Sequence, residues 1–353
     1  MIDTRCARRY PRGVMYTPQF EISADLLRLV AQASEIKSWI GQAVVDVPWL
    51  PILQRDTAAR LAHSSTSIEG NPLSLPEVEA LARGEEIGAQ ASAKREVLNY
   101  LAAMRWIWAK KTGKPIDEAA VLRLHHLLTR GILPEEKVGH YKRRPNRVVD
   151  SKGRTIYTPP APKFARPLTC ELLSWINGNR AKSIHPIVVS AVAHHRLVSI
   201  HPFSDGNGRA ARGLAVWILY TRDFDTHHLF ALDEFFEEDR ARYYQNIRQA
   251  RELDDDLTYW LEYVAEGVVE TLNRTKDRIQ SLRVSSAAAR MVLTKRQEDV
   301  LRFLRDRGRT KLTEIETVFQ ITRARVWQII SPLVKAGLVC QEGRTRATTY
   351  RLM

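Results

Sequence analysis

The chain has 353 residues, with 44% hydrophobic and 27% charged side chains and a formal net charge of +14. That length leaves room for two or three domains with a sizeable core, and the charge excess favours anionic partners. No segment approaches the ~18 unbroken apolar residues of a membrane span, the basic start from Met1 to Arg12 has no apolar leader core, and Cys6, Cys170 and Cys340 lie too far apart for a metal or disulfide spacing. The expectation is a cytoplasmic protein with no membrane partner.

Residues 1–19 read as an irregular arm. Helical spacing follows from Ser23, a plausible cap, to about Val45 (Leu26, Leu27, Leu29, Val30, Ile36, Ile40). Pro48 and Pro51 interrupt the pattern around Trp49 to Ile52, and a second helix is expected from about Thr57 to the stretch Ser65-x-x-x-Glu69-Gly70. Ser74-x-x-Glu77 is a capping box opening a helix that stops near Gly84. Ala93 to Lys111 is helical, with Val97, Leu98, Leu101, Met104 and Trp108 assigned to the core. Asp117 caps another helix ending by Gly131, in which His125 and His126 read as packing or surface residues. Residues 139–162 change character: two extended pieces, one with Val148 and Val149, flank a Lys152-Gly153 turn and read as a hairpin. A helix at Ala165–Arg180 and an apolar helix from Pro186 to Ile200 follow.

Residues 201–212, His201-Pro202-Phe203-Ser204-Asp205-Gly206-Asn207-Gly208-Arg209-Ala210-Ala211-Arg212, crowd titratable and flexible residues between two apolar helices. Gly206 and Gly208 let backbone N–H groups approach a ligand closely. A helix starting near Gly208 would aim its free N–H groups and dipole at the same spot, which suits a phosphate. Arg209 and Arg212, three apart, share one helical face as two prongs. Asp205 would repel a bare phosphate but suits Mg²⁺ carried with nucleotide phosphates. His201 supplies a base that titrates near working pH. A zinc site using His194, His195, His201 and Asp205 is the lesser reading, because adjacent histidines point about 100° apart on a helix.

This stretch resembles the Fic signature, His-Pro-Phe-x-(Asp/Glu)-Gly-Asn-Gly-Arg-x-x-Arg, at every specified position. The resemblance implies an enzyme that transfers AMP from ATP, with Mg²⁺, to a Ser, Thr or Tyr hydroxyl of a target protein and of itself. It implies His201 as base, Asp205 as metal ligand, Asn207 orienting the α-phosphate, the backbone from Gly206 to Gly208 as anion hole, Arg209 on the outer phosphates and Arg212 as a second phosphate contact. Ser65-x-x-x-Glu69-Gly70 is similar to the family's inhibitory motif, in which a glutamate reaches the second signature arginine or its neighbour. Here Glu69 is expected to block the γ-phosphate site through Arg209, with Ser65 shaping the helix end. The hairpin matches the flap that presents a target segment, with Val148 and Val149 on the nucleotide or target side. One helix from Asp233 is expected to place Tyr243 and Tyr244 near the adenosine. The family often has Asn near position 251, where this chain has Arg251.

Leu257 to about Leu282 is a long helix, and Ser285-Ser286-Ala287-Ala288-Ala289 reads as a linker. From Arg290 to Met353 there are 14 Lys/Arg against 6 Asp/Glu, so +8 of the +14 lies in the last 64 residues. Helices after Thr294, from Leu312 and after Thr322, then two strands around Glu342-Gly343-Arg344, resemble a winged helix domain. Arg323, Arg325 and Gln328 would face a DNA groove, Arg344 and Arg346 would tip the wing, and Pro332 would kink the third helix. DNA and protein stay open as its partner, as does a homodimer. The expected architecture is all-α: an N-terminal helical region (1–110), a Fic helical core with a β-hairpin flap (111–283), a linker (284–293) and a winged helix-turn-helix domain (294–353). Two alternatives to AMP transfer are a nucleotide-sensing DNA-binding regulator and a Fic enzyme that removes AMP.

Overall fold

A computed structural model describes residues 16–43, 49–110, 112–149, 152–224, 226–288, 294–335, 338–343 and 348–352. The chain divides into two compact units, Met1–Lys276 and Asp277–Met353. No described helix is long and apolar enough to cross a membrane.

Among its described residues, the regular structure of the first unit is helical except for one hairpin. Its helices are α1 (Ala24–Ala43), α2 (Leu50–Ile68), α3 (Leu75–Ala82), α4 (Ala91–Trp108), α5 (Glu118–Thr129), α6 (Pro162–Asn177), α7 (Asn179–Lys182), α8 (Pro186–Ile200), α9 (Asn207–Thr221), α10 (Leu232–Glu238), α11 (Arg240–Glu252) and the start of α12 (Thr258–Ala288). The core is built round α8 and α9, which pack on each other, with α5, α4 and α2 against α9 and α6 against α8. Residues buried on α8 run almost without a break from Ile187 to Ile200. A helix apolar on every side is stable only inside a core, so the two helices that frame the signature loop form its rigid support.

Several boundaries differ from expectation. α2 starts at Leu50, because Pro51 sits in the first turn, where its missing N–H would have no partner anyway. Leu98 is 38% exposed and leaves the core stripe of α4. The expected single helix from Asp233 breaks at Asp239, whose side chain accepts from Arg242 N–H and caps α11. The long helix passes Leu282 and reaches Ala288, so the expected linker is helical over its first part. Ser23, Ser74 and Asp117 do cap as expected: Ser23 Oγ accepts from Leu26 N–H, Asp117 from Ala120 N–H, and Ser74 and Glu77 form the reciprocal box.

The hairpin pairs β1 (Val148–Val149) with β2 (Thr155–Tyr157) antiparallel. In the second unit, α13 (Lys295–Arg307), β3 (Thr310–Lys311), α14 (Leu312–Phe319), α15 (Arg323–Lys335), β4 (Val339–Glu342) and β5 (Thr349–Leu352) enclose a core of Val300, Leu304, Ile315, Val326, Ile330 and Leu333. Its sheet is antiparallel with order β3-β5-β4. α15 runs on through Pro332, which stands inside it as expected. Arg344 and Arg346, expected at a wing tip, lie outside the described residues.

Candidate active site

α8 ends at His201, whose backbone is left-handed (φ 50°, ψ 57°). A residue with a Cβ pays for that conformation, and such strain gathers at functional sites. The turn throws the chain from α8 into the loop that starts α9. His201 Nδ1 lies 3.2 Å from the Val198 carbonyl. A carbonyl only accepts, so Nδ1 carries the proton and the lone pair is on Nε2. Burial, helped by the positive charges of Lys142 and Arg251, pulls the His201 imidazole down to about 4. The ring is therefore neutral at pH 7, with a proton acceptor on its outer edge.

The loop is closed by its own backbone. Asn207 Oδ1 accepts from Phe203 N–H (2.9 Å) and Asn207 Nδ2 donates to Phe203 C=O (3.0 Å). The Asn207 carboxamide thus staples the loop, using one oxygen lone pair and one of its two N–H groups. Gly206 caps α9 at φ +74°, and a Cβ there would sit 2.8 Å from Thr129 Cγ2 of α5. Only glycine fits both the angle and the approach. Gly206 N–H donates to Asp205 Oδ1, leaving the second oxygen of that exposed carboxylate free. One available carboxylate suits Mg²⁺, which normally arrives with phosphates and keeps several waters. No group of three or more His, Cys, Asp or Glu is placed to cage a metal among the described residues. His194 and His195 instead spend their Nε2 atoms on Tyr243 Oη (2.9 Å) and the Ile247 carbonyl (3.1 Å).

α5 holds the loop from below. His125, fully buried, accepts from Gly139 N–H at Nδ1 (3.0 Å), so its Nε2–H donates to the Asp205 carbonyl (3.0 Å). Its ring stacks on Phe203 at 3.8 Å, and Tyr141 stacks on the same phenyl at 5.9 Å. The segment before the hairpin is bolted on as well. Lys142 N–H donates to Pro202 C=O, Asn146 Nδ2 to Phe203 C=O, and Lys142 Nζ to Asn146 Oδ1 (2.7 Å). Tyr157 Oη of β2 donates to the Ser199 carbonyl (2.7 Å). Arg251 lies over the Tyr157 ring at 3.8 Å and donates to Ser199 Oγ (2.9 Å). The hairpin base is therefore tied to the C-terminus of α8, while Val149 and Ile156 stay 52% and 46% exposed.

The glutamate end of α2 completes the site. Gly70 at φ +96° ends α2, with Gly70 N–H on Ser67 C=O and Asn71 N–H on Thr66 C=O. This is a Schellman arrangement, which needs glycine just past the cap and places Glu69 at the cap itself. Glu69 Oε1 accepts from Arg212 Nη2 at 2.7 Å. The same oxygen lies so close over Gly208 that a Cβ there would collide with it. The expected pairing of Glu69 with Arg209 is thereby corrected: Glu69 pairs with Arg212, and Arg209 pairs with Glu96 at 2.8 Å. The reason is position along the helix. Arg212 turns back toward α2, where Ser65 Oγ and Ser65 C=O each accept from it at 2.8 Å, so Ser65 holds the arginine as well as the helix end.

Arg212 is the hub of a buried network. Besides Ser65 and Glu69 it donates to Tyr243 Oη (3.4 Å) and lies 3.6 Å from Asp233 Oδ2, which also accepts from Tyr100 Oη. Burial pushes the Asp233 carboxyl up, with Arg212 pulling the other way. Tyr243 is 1% exposed, with its hydroxyl bonded to Arg212 and His194. Tyr244, at 45% exposed, is the one of the pair open to a ligand. Glu96, His125, Lys142 and Asp233 join the site without having been singled out. Each comes from a different element, and nothing in its local sequence marks it.

Residues 115–219 match the model of the Fic/DOC family. The chain is 28% identical over 224 residues to protein adenylyltransferase fic-1 of Caenorhabditis briggsae, covering 63% of this chain and 42% of that protein. It is 29% identical over 215 residues to protein adenylyltransferase Fic of Aedes aegypti, covering 60% of this chain and 40% of that protein. The chain thus spans about two fifths of the length of these curated relatives. A solved structure of Fic-1 from Caenorhabditis elegans superposes with a TM-score of 0.57 at 26% identity, covering 71% of each chain. A Fic family protein from Desulfovibrio desulfuricans shares the fold with a TM-score of 0.67 at 22% identity, covering 96% of this chain and 98% of that one.

Proposed function

We propose that this chain, which carries a Fic/DOC-family domain over residues 115–219, is an autoinhibited protein adenylyltransferase. The observation that carries the reading is the place of Glu69. Its carboxylate lies over Gly208 at the N-terminus of α9 and on Arg212, where helix dipole, free N–H groups and guanidinium all favour an anion. A carboxylate there stands in for a phosphate oxygen and competes with it.

The donor is ATP. His201 Nε2 takes the proton of a Ser, Thr or Tyr hydroxyl, and its oxygen attacks the α-phosphorus. The bond from that phosphorus to the β-phosphate bridging oxygen breaks, leaving AMP esterified to the protein and releasing pyrophosphate. Asp205 would hold Mg²⁺, which supplies charge neutralisation to the phosphates. Arg209 and the α9 N-terminus bind the outer phosphates, and Arg212 joins them once Glu69 withdraws. The target segment lies along the β1–β2 hairpin by strand addition, a reading supported by its exposed Val149 and Ile156. For the second unit, the helix–strand–helix–helix–hairpin order and the exposed Arg323, Arg325 and Gln328 on α15 support a winged helix that meets DNA.

The test is α-labelled ATP with Mg²⁺, applied to the wild type, Glu69→Gly and Glu69→Gly/His201→Ala. Glu69→Gly should label itself at least about tenfold more strongly than wild type, since each 1.4 kcal/mol of removed competition is worth a factor of ten. The double variant should bind ATP and stay unlabelled. Binding without label in all three would move the reading to a nucleotide-sensing regulator.

A further inference from the structure

Arg209 is held by one edge only. Its Nη1 donates to Glu96 Oε1 at 2.8 Å, while its Nε is buried and has no partner among the described residues. The arginine side chain is 5% exposed and that of Glu96 21%. An unmet buried donor costs about 1–3 kcal/mol, recovered when a ligand oxygen accepts from it. Glu96 in turn is fixed: its Oε2 accepts from Asn71 Nδ2 at 2.8 Å, and Asn71 is itself tied to the Ala93 carbonyl and to Leu73 N–H. Unlike Glu69, Glu96 is braced from behind by the chain that follows the inhibitory turn.

We propose that Glu96 is a positioning residue for ATP: braced by Asn71, it clamps the Nη1 edge of Arg209 so that Nε–H is presented to the outer phosphates. This rests on the reading of the site as one for ATP. The clamp spends charge on Arg209 but removes the rotamer freedom a long side chain would lose on binding. Its effect must be confined to nucleotides that have outer phosphates, because AMP has none for Arg209 to reach.

The experiment is calorimetric binding of ATP and of AMP, with Mg²⁺, to full-length Glu69→Gly and to the same chain carrying Glu96→Ala or Glu96→Gln. Glu96→Ala should lose about tenfold in ATP affinity with AMP affinity unchanged. Glu96→Gln, which keeps an amide oxygen for Nη1 and nearly the same shape, should lose less. Unchanged ATP affinity overturns the proposal, and so does tighter ATP binding, which would make Glu96 a second blocking carboxylate. Equal losses for ATP and AMP overturn it too, as a general disturbance of the fold. If Glu69→Gly itself binds no ATP, the proposed function fails, and this inference with it.

Discussion

His201, the proposed base, sits where a charge is unwelcome. Burial and its cationic neighbours draw it down to about 4, so it stays neutral throughout the physiological range and needs no activation to accept a proton. That makes a definite pH profile. In Glu69→Gly, kcat/KM for transfer should be flat from pH 8 down to about pH 5.5 and fall below it as the free enzyme's base is protonated. A midpoint near the ordinary histidine value of about 6.5 would show that His201 is not the titrating base. The low-pH limb needs a circular dichroism control, because His125 is also pulled down to about 4 by burial. A histidine depressed in the fold binds fewer protons there than in the unfolded chain, so stability is lost as pH falls from 6.5 toward 4, at up to about 1.4 kcal/mol per pH unit for each such group. His201, Arg212 and Glu69 were legible in the sequence because their chemistry is written in short local order. Glu96 and Asp233 were not: each is an ordinary acidic residue until α4 packs on α9 and α10 on α2.

The elements around the loop work by close approach, and Gly206 shows how close. Its φ of +74° would strain any other residue, and a Cβ would press on Thr129 Cγ2 of α5. Gly206→Ala should therefore destabilise the protein by about 1–3 kcal/mol and weaken ATP binding in parallel, since α9 could no longer start where it does. Adding Thr129→Ser removes the opposing methyl group and keeps the hydroxyl that donates to His125 C=O. The thermal midpoint should then recover in part, with the remainder being the backbone cost. No recovery would mean that the contact between α5 and the loop is not what demands glycine. The same scale shows why helix existence was easier to read than helix ends. Trp49 to Ile52 looked like a break because proline ends helices from inside, yet Pro51 stands in the first turn, where it costs nothing. Asp239 looked like one polar residue among many, yet its side chain starts a new helix.

In the whole molecule, chemistry and charge are divided between the two units. Every residue of the candidate site lies before Lys276, whereas +8 of the net +14 lies from Arg290 onward. Small residues such as Ser285-Ser286-Ala287 suit a linker, but alanine is also the best helix former, and α12 runs to Ala288. This division predicts that the two functions can be separated. A Glu69→Gly chain ending at Ala288 keeps α12 whole and all the site's contacts. Its self-labelling rate with ATP should stay within about twofold of the full-length variant, a change worth under 1 kcal/mol. Retention on duplex DNA should drop sharply, and the salt dependence of what remains should flatten, because the cations that displace counterions from the polyanion have gone. Loss of labelling by a truncated chain that still melts cooperatively would show that the second unit contributes to the catalytic site. Unchanged DNA retention would place the polyanion surface on the first unit and leave Arg323 and Arg325 to serve a protein partner.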